Sequence, residues 1–505
     1  MKPEDIVAAM LTRSTLGGQP EAEALQRLAE LVDAADDCGS QAGVEHAIAL
    51  IKTFRANCSA LGVGHLDYYE ANAWHALRRL RTKRGDDVWV WEQPEFEQEA
   101  VCLRRALRAS DHPEFPPGRQ LQILTNLGNL MSVLGRTVES IGYYDRALAR
   151  YPRFGMALAN RGQVFATYSN YDYDTGHRAM FLSQARDDFT AALNQELEGE
   201  SRKFFEARVA ELDVCGFAPG LKRFDLDGFD LGANEKEKHF RRWILNERLF
   251  INTLNDLGSY PVAANDFLHL PTMVMERAVG TAFHGFFNQL KQEFAAARWL
   301  AYESLHDDAS AMADRGLRLL DARDGAVFGI GIEKLKFAFR SSYSLLDKIA
   351  VFLNAYLRLG LPPHKVTLRT VWFEDRKGEP RRLNPAIPTR NLPLRGLFWL
   401  AKDFSETGSE FVAAMEPDAQ DLVRIRNRLE HQFLRVTSMP EQFWSKDLAF
   451  NVPEELLQRR TLRLLRCSRA ALIYLVLAIH AHENSEGKRD NAKPFISDRL
   501  EDLPS

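Results

Sequence analysis

The chain is short of cysteine. It has five in 505 residues, Cys38, Cys58, Cys102, Cys215 and Cys467, odd in number, scattered and nowhere spaced as C-x-x-C. This argues against a disulfide framework and a structural zinc site, and a reducing cytoplasm is the expected compartment. Long hydrophobic runs are also lacking. The longest, Ala470 to Ile479, falls far below the roughly 20 residues that span a bilayer, so it reads as buried helix and no membrane contact is expected. Met1 to Asp5 offers no basic and apolar start of a secretory signal. Neither sign of charge dominates: 65 Lys and Arg against 69 Asp and Glu leave a formal charge of −4, so any attraction to nucleic acid must be local. A phosphate loop is missing as well. Gly325 to Gly331, G-A-V-F-G-I-G, has no Lys-Ser/Thr in register and no strand-helix-strand setting, and reads as a helix-entry turn.

What is present is helical periodicity. Ala22, Leu25, Leu28, Leu31 and Val32, then Ala47, Ile51 and Phe54, recur at three-to-four-residue spacing. From Leu124 the pattern sharpens: Leu127-Gly128, Met131, Gly135, Tyr144, Ala147 and Pro152, followed by Leu158, Gly162 and Phe165. This resembles a tetratricopeptide (TPR) repeat, whose period is about 34 residues. Gly128 and Ala147 allow two antiparallel helices to approach, and Pro152 stops the second. The next unit reads as interrupted over Tyr168 to Met180 and resumes at Ala185, Phe189 and Ala192; the preceding unit keeps only Leu103 and Ala106. An array of three or more hairpins is expected within a repeat domain over residues 1–215. Its concave face suits a protein or peptide ligand; as a rigid arm packed on the rest of the chain it satisfies the same pattern.

Gly216 to Asn234 reads as a linker, opening a middle helical region that runs to residue 330. Asn252, Asn255, Asp256, Asn265 and Asp266 form a polar cluster there, best read as caps and turns because short polar side chains bond nearby amides. Leu335, Phe339, Ser342, Leu346, Ile349, Leu353 and Tyr356 then alternate steps of four and three, one continuous helical face. A weak alternation over Val366 to Phe373 with Arg376-Lys-Gly378 suggests a small inserted hairpin. Leu394 to Phe404, Gln420 to Val436 and Pro453 to His482 follow as further helices. The expected fold is all-α, an array followed by a four-helix bundle over residues 331–485, with a polar tail from 486 to 505.

Within the third bundle helix stands R-N-R-L-E-H, Arg426 to His431. An Arg, four intervening residues and a His, with a polar residue directly after the Arg, resembles the signature of the HEPN superfamily. The long preceding and closing helices resemble its four-helix layout, and the TPR-plus-HEPN combination is similar to a prokaryotic branch of it. The resemblance implies an endoribonuclease needing neither metal nor cofactor. His431 would move protons between a 2′-hydroxyl and the departing 5′-oxygen, Arg426 would hold the charge building on the phosphorus oxygens, and Asn427 would orient His431 from four residues away. Products would carry 2′,3′-cyclic phosphate ends. Arg424 and Arg428 are the expected RNA-binding cations. Glu430 is expected to pair with Arg426 or Arg435, and Asp347 to face the motif Arg from the first bundle helix. The row Arg459, Arg460, Arg463, Arg466 and Arg469 reads as a solvated face.

Five residues on a helix correspond to a rotation of about 140°, so Arg426 and His431 do not converge within one chain. Two-fold pairing repairs this, and the resemblance implies a homodimer through the C-terminal domain with RNA as partner. A cytoplasmic toxin or phage-defence effector is the biological setting it suggests. The binding-class alternative is a non-catalytic HEPN/TPR adaptor for a protein or nucleotide.

Overall fold

The computed structural model of the chain describes residues 2–82, 86–195, 197, 199–215, 227–273, 277–306, 312–320, 325–374, 382–404, 417–438 and 449–485. Almost all regular structure among them is helical, as expected of an all-α protein. The expected linker start at Gly216, the Arg376-Lys-Gly378 turn and the polar tail lie outside the described residues. The described residues fall into two compact units, one drawn from 2–164, 185–215 and 417, the other from 165–184, 227–404 and 418–485.

The first unit is a run of helices: α1 (Pro3–Leu11), α2 (Glu21–Asp37), α3 (Gln41–Phe54), α4 (Ala60–Arg81), α5 (Pro94–Ala109), α6 (Pro117–Val133) and α7 (Thr137–Arg150). Neighbours in sequence pack on one another from α1 to α7. Their starts follow local chemistry: Ser40 and Ser59 accept hydrogen bonds from Gly43 and Gly62 at α3 and α4, and proline opens α5 and α6. Gly135 adopts φ 80° between α6 and α7, a left-handed turn that glycine takes without strain. The α6–α7 hairpin is as close as its sequence requires. A Cβ on Gly128 would lie 2.5 Å from the Tyr144 ring, Ser140 donates to the Gly128 carbonyl at 2.7 Å and Tyr144 donates to Asn129 at 2.7 Å.

Two further helices, α8 (Gly155–Ser169) and α9 (Thr175–Leu193), are shared, because their joined ends, 165–184, belong to the second unit. Of the expected interruption over Tyr168 to Met180 only residues 170–174 are a turn; the rest is the end of α8 and the start of α9. Within the first unit Gly162 meets Phe189 and the Ala185 backbone, repeating the close approach at Gly128. Gly199–Val214 forms α10.

The second unit continues with α11 (Glu235–Asn246), a loop from Glu247 to Met273, α12 (Arg277–His306), α13 (Ile330–Tyr356), α14 (Leu392–Asp403), α15 (Pro417–His431), strands β1 (Phe433–Thr437) and β2 (Ala449–Pro453), and α16 (Glu454–Ser485). All seven residues of the periodic α13 face are buried. α12 lies along α13, α13 along α16, and α14 against α16. Burying such stripes contributes about 1.5–3 kcal/mol for each large apolar side chain. The sequence reading carried the motif helix to Val436; instead it ends at His431, and β1 pairs in parallel with β2, Phe433 opposite Ala449 and Thr437 opposite Pro453. Leu434 and Val436 are buried while Phe433 faces solvent, the two-residue alternation of a strand. Gly325 to Val327 joins the far side of β1 through Val327 to Val436 at 2.8 Å and Ser438 to Gly325 at 3.0 Å. Of the expected inserted hairpin, the bridge of Phe373 with Leu383 is described.

Arg469 lies not on the solvated face expected for its row but in the interior, 1% exposed. Its Nε donates to the Phe250 carbonyl at 2.6 Å, Nη1 to Asp256 Oδ1 at 2.5 Å and Nη2 to the Asn252 carbonyl at 2.7 Å. Asp256 also accepts from the Tyr168 hydroxyl at 3.1 Å, and Thr253 donates to Asp172 at 2.6 Å. The polar cluster does cap turns as expected, Asn252 receiving the Leu254 amide and Asn255 the Phe250 amide. It also holds a buried charge pair whose partners and hydrogen bonds offset the cost of leaving water. Beside it His480 stacks on Tyr173 at 3.8 Å between ring centroids, with Nε2 3.0 Å from the His269 carbonyl.

Two outcomes are expected. Gly128→Ala drives a methyl into the fixed Tyr144 ring and should lower stability by about 1–3 kcal/mol in chemical denaturation. Burial holds His480 down at about 4 from an ordinary 6.5. Since the folded value is the lower, its contribution is present above pH 6.5 and is lost as pH falls toward 4. Unfolding midpoints should drop across that window, less steeply in His480→Gln.

Candidate functional site

α15 places its apolar residues, Leu422, Val423, Ile425 and Leu429, in the core and turns Arg424, Glu430 and His431 outward. Arg426, Asn427 and Arg428 lie half-buried between the two faces. Asp421 anchors the helix to α16, accepting from Arg460 at 2.9 Å. At the other end Arg340 of α13 donates to the Leu429 carbonyl and its Nε lies 3.8 Å from Glu430. A cation there answers the free carbonyls and negative pole of a helix C-terminus. Glu430 thus pairs with Arg340, not with Arg426 or Arg435; Arg435 bonds Asn451 across the strand pair at 2.8 Å. The sequence signal points to the near neighbours Arg426 and Arg435 because Arg340 lies 90 positions away.

Arg426 is held from three sides. Its Nη1 donates to Asn427 Oδ1 at 3.0 Å, its guanidinium carbon stands 5.5 Å from the centroid of the Tyr343 ring, and Asp347 attracts it electrostatically. Tyr343 was not singled out from the sequence, although it lies four residues before Asp347 and so on the same side of α13. Burial pushes the Asp347 carboxyl above its ordinary value; the Leu368 amide, donating at 3.0 Å, and the charges of Arg426 and Arg369 pull it back. The Arg426 charge thus acts on Asp347 through space, and among the described residues no hydrogen bond or ion pair joins the two.

Asn427 is turned toward Arg426, and among the described residues no hydrogen bond joins it to His431. His431 stands exposed at the last position of α15. The structure brings Arg426, Asn427 and Asp347 together and leaves His431 apart from them within the one chain. Arg424 is exposed beside the motif, and Arg428 covers the Phe450 ring on β2 at 5.5 Å. Chemically this is a guanidinium with a fixed plane, able to fork onto phosphate oxygens, next to an imidazole open to solvent at the end of the same helix.

The first unit has a separate polar cavity of about 170 Å³, lined among others by Asp33, Asp36, Asn72, His75, Glu99, Asn126 and Asn129. Asn126 donates to Asn72 at 3.1 Å, and Glu99 pairs with His75 and Arg78. Burial and the neighbouring Asp37 raise the Asp33 carboxyl, against the pull of Arg119. Its lining comes from α2, α4, α5 and α6.

Residues 275–482 match the family described as LA2681-like HEPN. No curated protein and no solved structure matches the chain. The matched segment, which runs from α12 into α16 and contains Arg426 and His431, belongs to the HEPN superfamily. HEPN domains in general bind RNA and dimerise. Among the described residues no helix is long and apolar enough to cross a membrane.

The Asp347 environment makes a simple test. Asp347→Asn keeps an acceptor for the Leu368 amide and removes a charge that burial disfavours, so stability at pH 7 should hold or rise. Asp347→Ala leaves that amide unpaired and should cost about 1–3 kcal/mol in thermal or urea unfolding.

Proposed function

With a HEPN domain as its C-terminal segment, we propose that the protein is a metal-independent endoribonuclease. The observation that carries this reading is the last turn and a half of α15, where Arg426 is bonded to Asn427 and stands over the Tyr343 ring while His431 faces solvent. RNA supplies its own nucleophile. His431 takes the proton of a 2′-hydroxyl, the oxygen attacks the adjacent phosphorus, and the 5′-oxygen leaves with a proton, giving a 2′,3′-cyclic phosphate and a 5′-hydroxyl. Arg426 offers two parallel donors to the phosphoryl oxygens as their charge grows, and its hydrogen bond to Asn427 fixes the plane of that fork. Arg424 and Arg428 hold the flanking backbone, with Glu430 and Arg340 supporting the end of the helix.

Rotation by about 140° between Arg426 and His431 makes one chain half of a cleft. We infer a homodimer through the bundle, Arg426 of each copy serving with His431 of its partner. The helical-hairpin array over 1–215 takes a protein or peptide ligand and restrains or releases the bundle over 331–485. Such an arrangement suits a cytoplasmic toxin or phage-defence effector. An adaptor is the second reading, favoured by the polar cavity in the first unit.

Purified full-length protein incubated with total RNA in EDTA is expected to cleave it, leaving cyclic phosphate ends. His431→Ala should slow cleavage by about 10²–10⁴-fold, the usual share of a general acid–base. Arg426→Lys should fail to restore an Arg426→Ala loss, because an ammonium has no fork. Cleavage that is unchanged in His431→Ala, or that needs a divalent ion, would sink the proposal.

A further inference from the structure

The polar cavity of the first unit has room for a ligand of its own. Its volume of about 170 Å³ is close to the roughly 150 Å³ that hold a benzene ring in an engineered protein core, so a small planar head with a few methylenes fits it. One part of the wall is apolar, made by the buried side chains of Val32, Ala71 and Leu103. The rest consists of carboxylates, amides and one imidazole, and among the described residues no lysine or arginine lines it. Three carboxylates reach the cavity, and two are already answered: Asp36 pairs with Arg79, and Glu99 with Arg78 and His75. Asp33 is left over. Among the described residues no hydrogen bond or ion pair joins it, and Arg119, which acts on it through space, lies instead over the rings of Tyr68 at 4.3 Å and Tyr69 at 5.1 Å. The amides are fixed by one another. Asn126 donates to Asn72 at 3.1 Å, while Asn129 accepts from Tyr144 at 2.7 Å and from Asn160 at 2.9 Å. With its amino group turned to Asn72, Asn126 keeps its carbonyl oxygen as an acceptor on the same cavity.

We propose that this cavity binds a guanidinium group on a short alkyl chain, with the methylenes on the apolar wall and the donors on Asp33 and Asn126. The unmet groups of the cavity are acceptors, and a guanidinium is planar, always charged and carries five donors with no acceptor. An anion would meet three carboxylates and no lining cation. An apolar ligand would strand the amides and the Asp33 carboxylate away from water. A metal ion is disfavoured by spacing, since among the described residues no group of three or more His, Cys, Asp or Glu side chains is placed to hold one. Burial and the neighbouring Asp37 already raise the Asp33 carboxyl, and a docked cation offsets both. The inference gives a chemistry to the ligand proposed for the array and rests on that part of the reading; it needs no cleavage by the bundle.

The test is isothermal titration calorimetry of the full-length protein in EDTA with three probes. One is acetylated and amidated Gly-Arg-Gly; the second carries citrulline in place of the arginine, a neutral group of the same shape; the third is agmatine, the free alkyl guanidinium. The arginine peptide is expected to bind roughly tenfold more tightly than the citrulline peptide, the value of one charge-assisted hydrogen bond. Asp33→Asn should remove that preference, and Asp33→Glu should keep most of it. The unfolding midpoint of Asp33→Asn should hold or rise, because the variant loses an unpaired charge, so its loss of binding is not a loss of fold. Agmatine binding as tightly as the peptide makes the occupant a free cation, and weaker agmatine binding makes it a partner's side chain; either keeps the proposal. Equal affinity for the arginine and citrulline peptides, parental binding in Asp33→Asn, or no binding of any probe at millimolar concentration overturns it. Cleavage of RNA without binding of the arginine probes removes this proposal and leaves the ribonuclease; binding without cleavage does the reverse.

Discussion

The second unit is organised about one buried cation. Arg469 directs three of its donors at a single loop, two to the carbonyls of Phe250 and Asn252 and one to Asp256. Asp256 is fixed in turn by Tyr168 from the end of α8. A charge in the interior is tolerated only when so paired, and removing one partner typically costs 3–5 kcal/mol because the other is stranded. The closing helix, the middle loop and the α8–α9 turn therefore have one mutual arrangement, since sliding any of them would leave a buried charge or carbonyl unmet. Arg298 does the same at lesser depth, gripping both oxygens of Asp266 at 3.0 and 2.8 Å and the Leu249 carbonyl at 2.8 Å.

On that scaffold the motif helix is held at both ends by side chains from its neighbours, Arg460 near the start and Arg340 at the finish. Arg426 stands over the Tyr343 ring of α13, and His431 is exposed where helical geometry gives way to β1. The proposed chemistry asks for such a division, a pre-aimed charge-binding group beside a group open to solvent.

Much of this was legible in the sequence for a simple reason: periodicity reports burial. The seven-residue α13 face and the small residues Gly128 and Gly162 stand where the spacing puts them, because nothing nonlocal competes with apolar stripes of that length. The motif residues were readable by type and order. Their partners were not. Arg340 and Tyr343 reach α15 across some 90 residues, and local patterning holds no trace of such a pair. Arg469 reads as a surface residue because it continues a row of arginines at three-to-four-residue spacing. Yet Leu465 stands one turn before it and Leu472 and Ile473 one turn after, so it lies on the apolar stripe, and an arginine there is a buried partner in search of an acid. β1 was absorbed into the preceding helix although F-L-R-V-T alternates and carries the ring and branched residues of a strand.

The turn between α8 and α9 has a consequence for how the chain is made. Its residues are read early during synthesis, as part of a repeat, yet their polar groups are answered by Asp256 and, through it, by Arg469 near the other end of the polypeptide. A nascent chain can close its first hairpins from local contacts, but Tyr168, Asp172 and His177 wait for Asp256 and Thr253, 76 to 88 residues on, and Asp256 in turn waits for Arg469. Sequence-distant pairings of this kind slow the last folding step. They also make the unit a product of the completed chain, so its boundaries cannot be drawn as a single cut along the sequence.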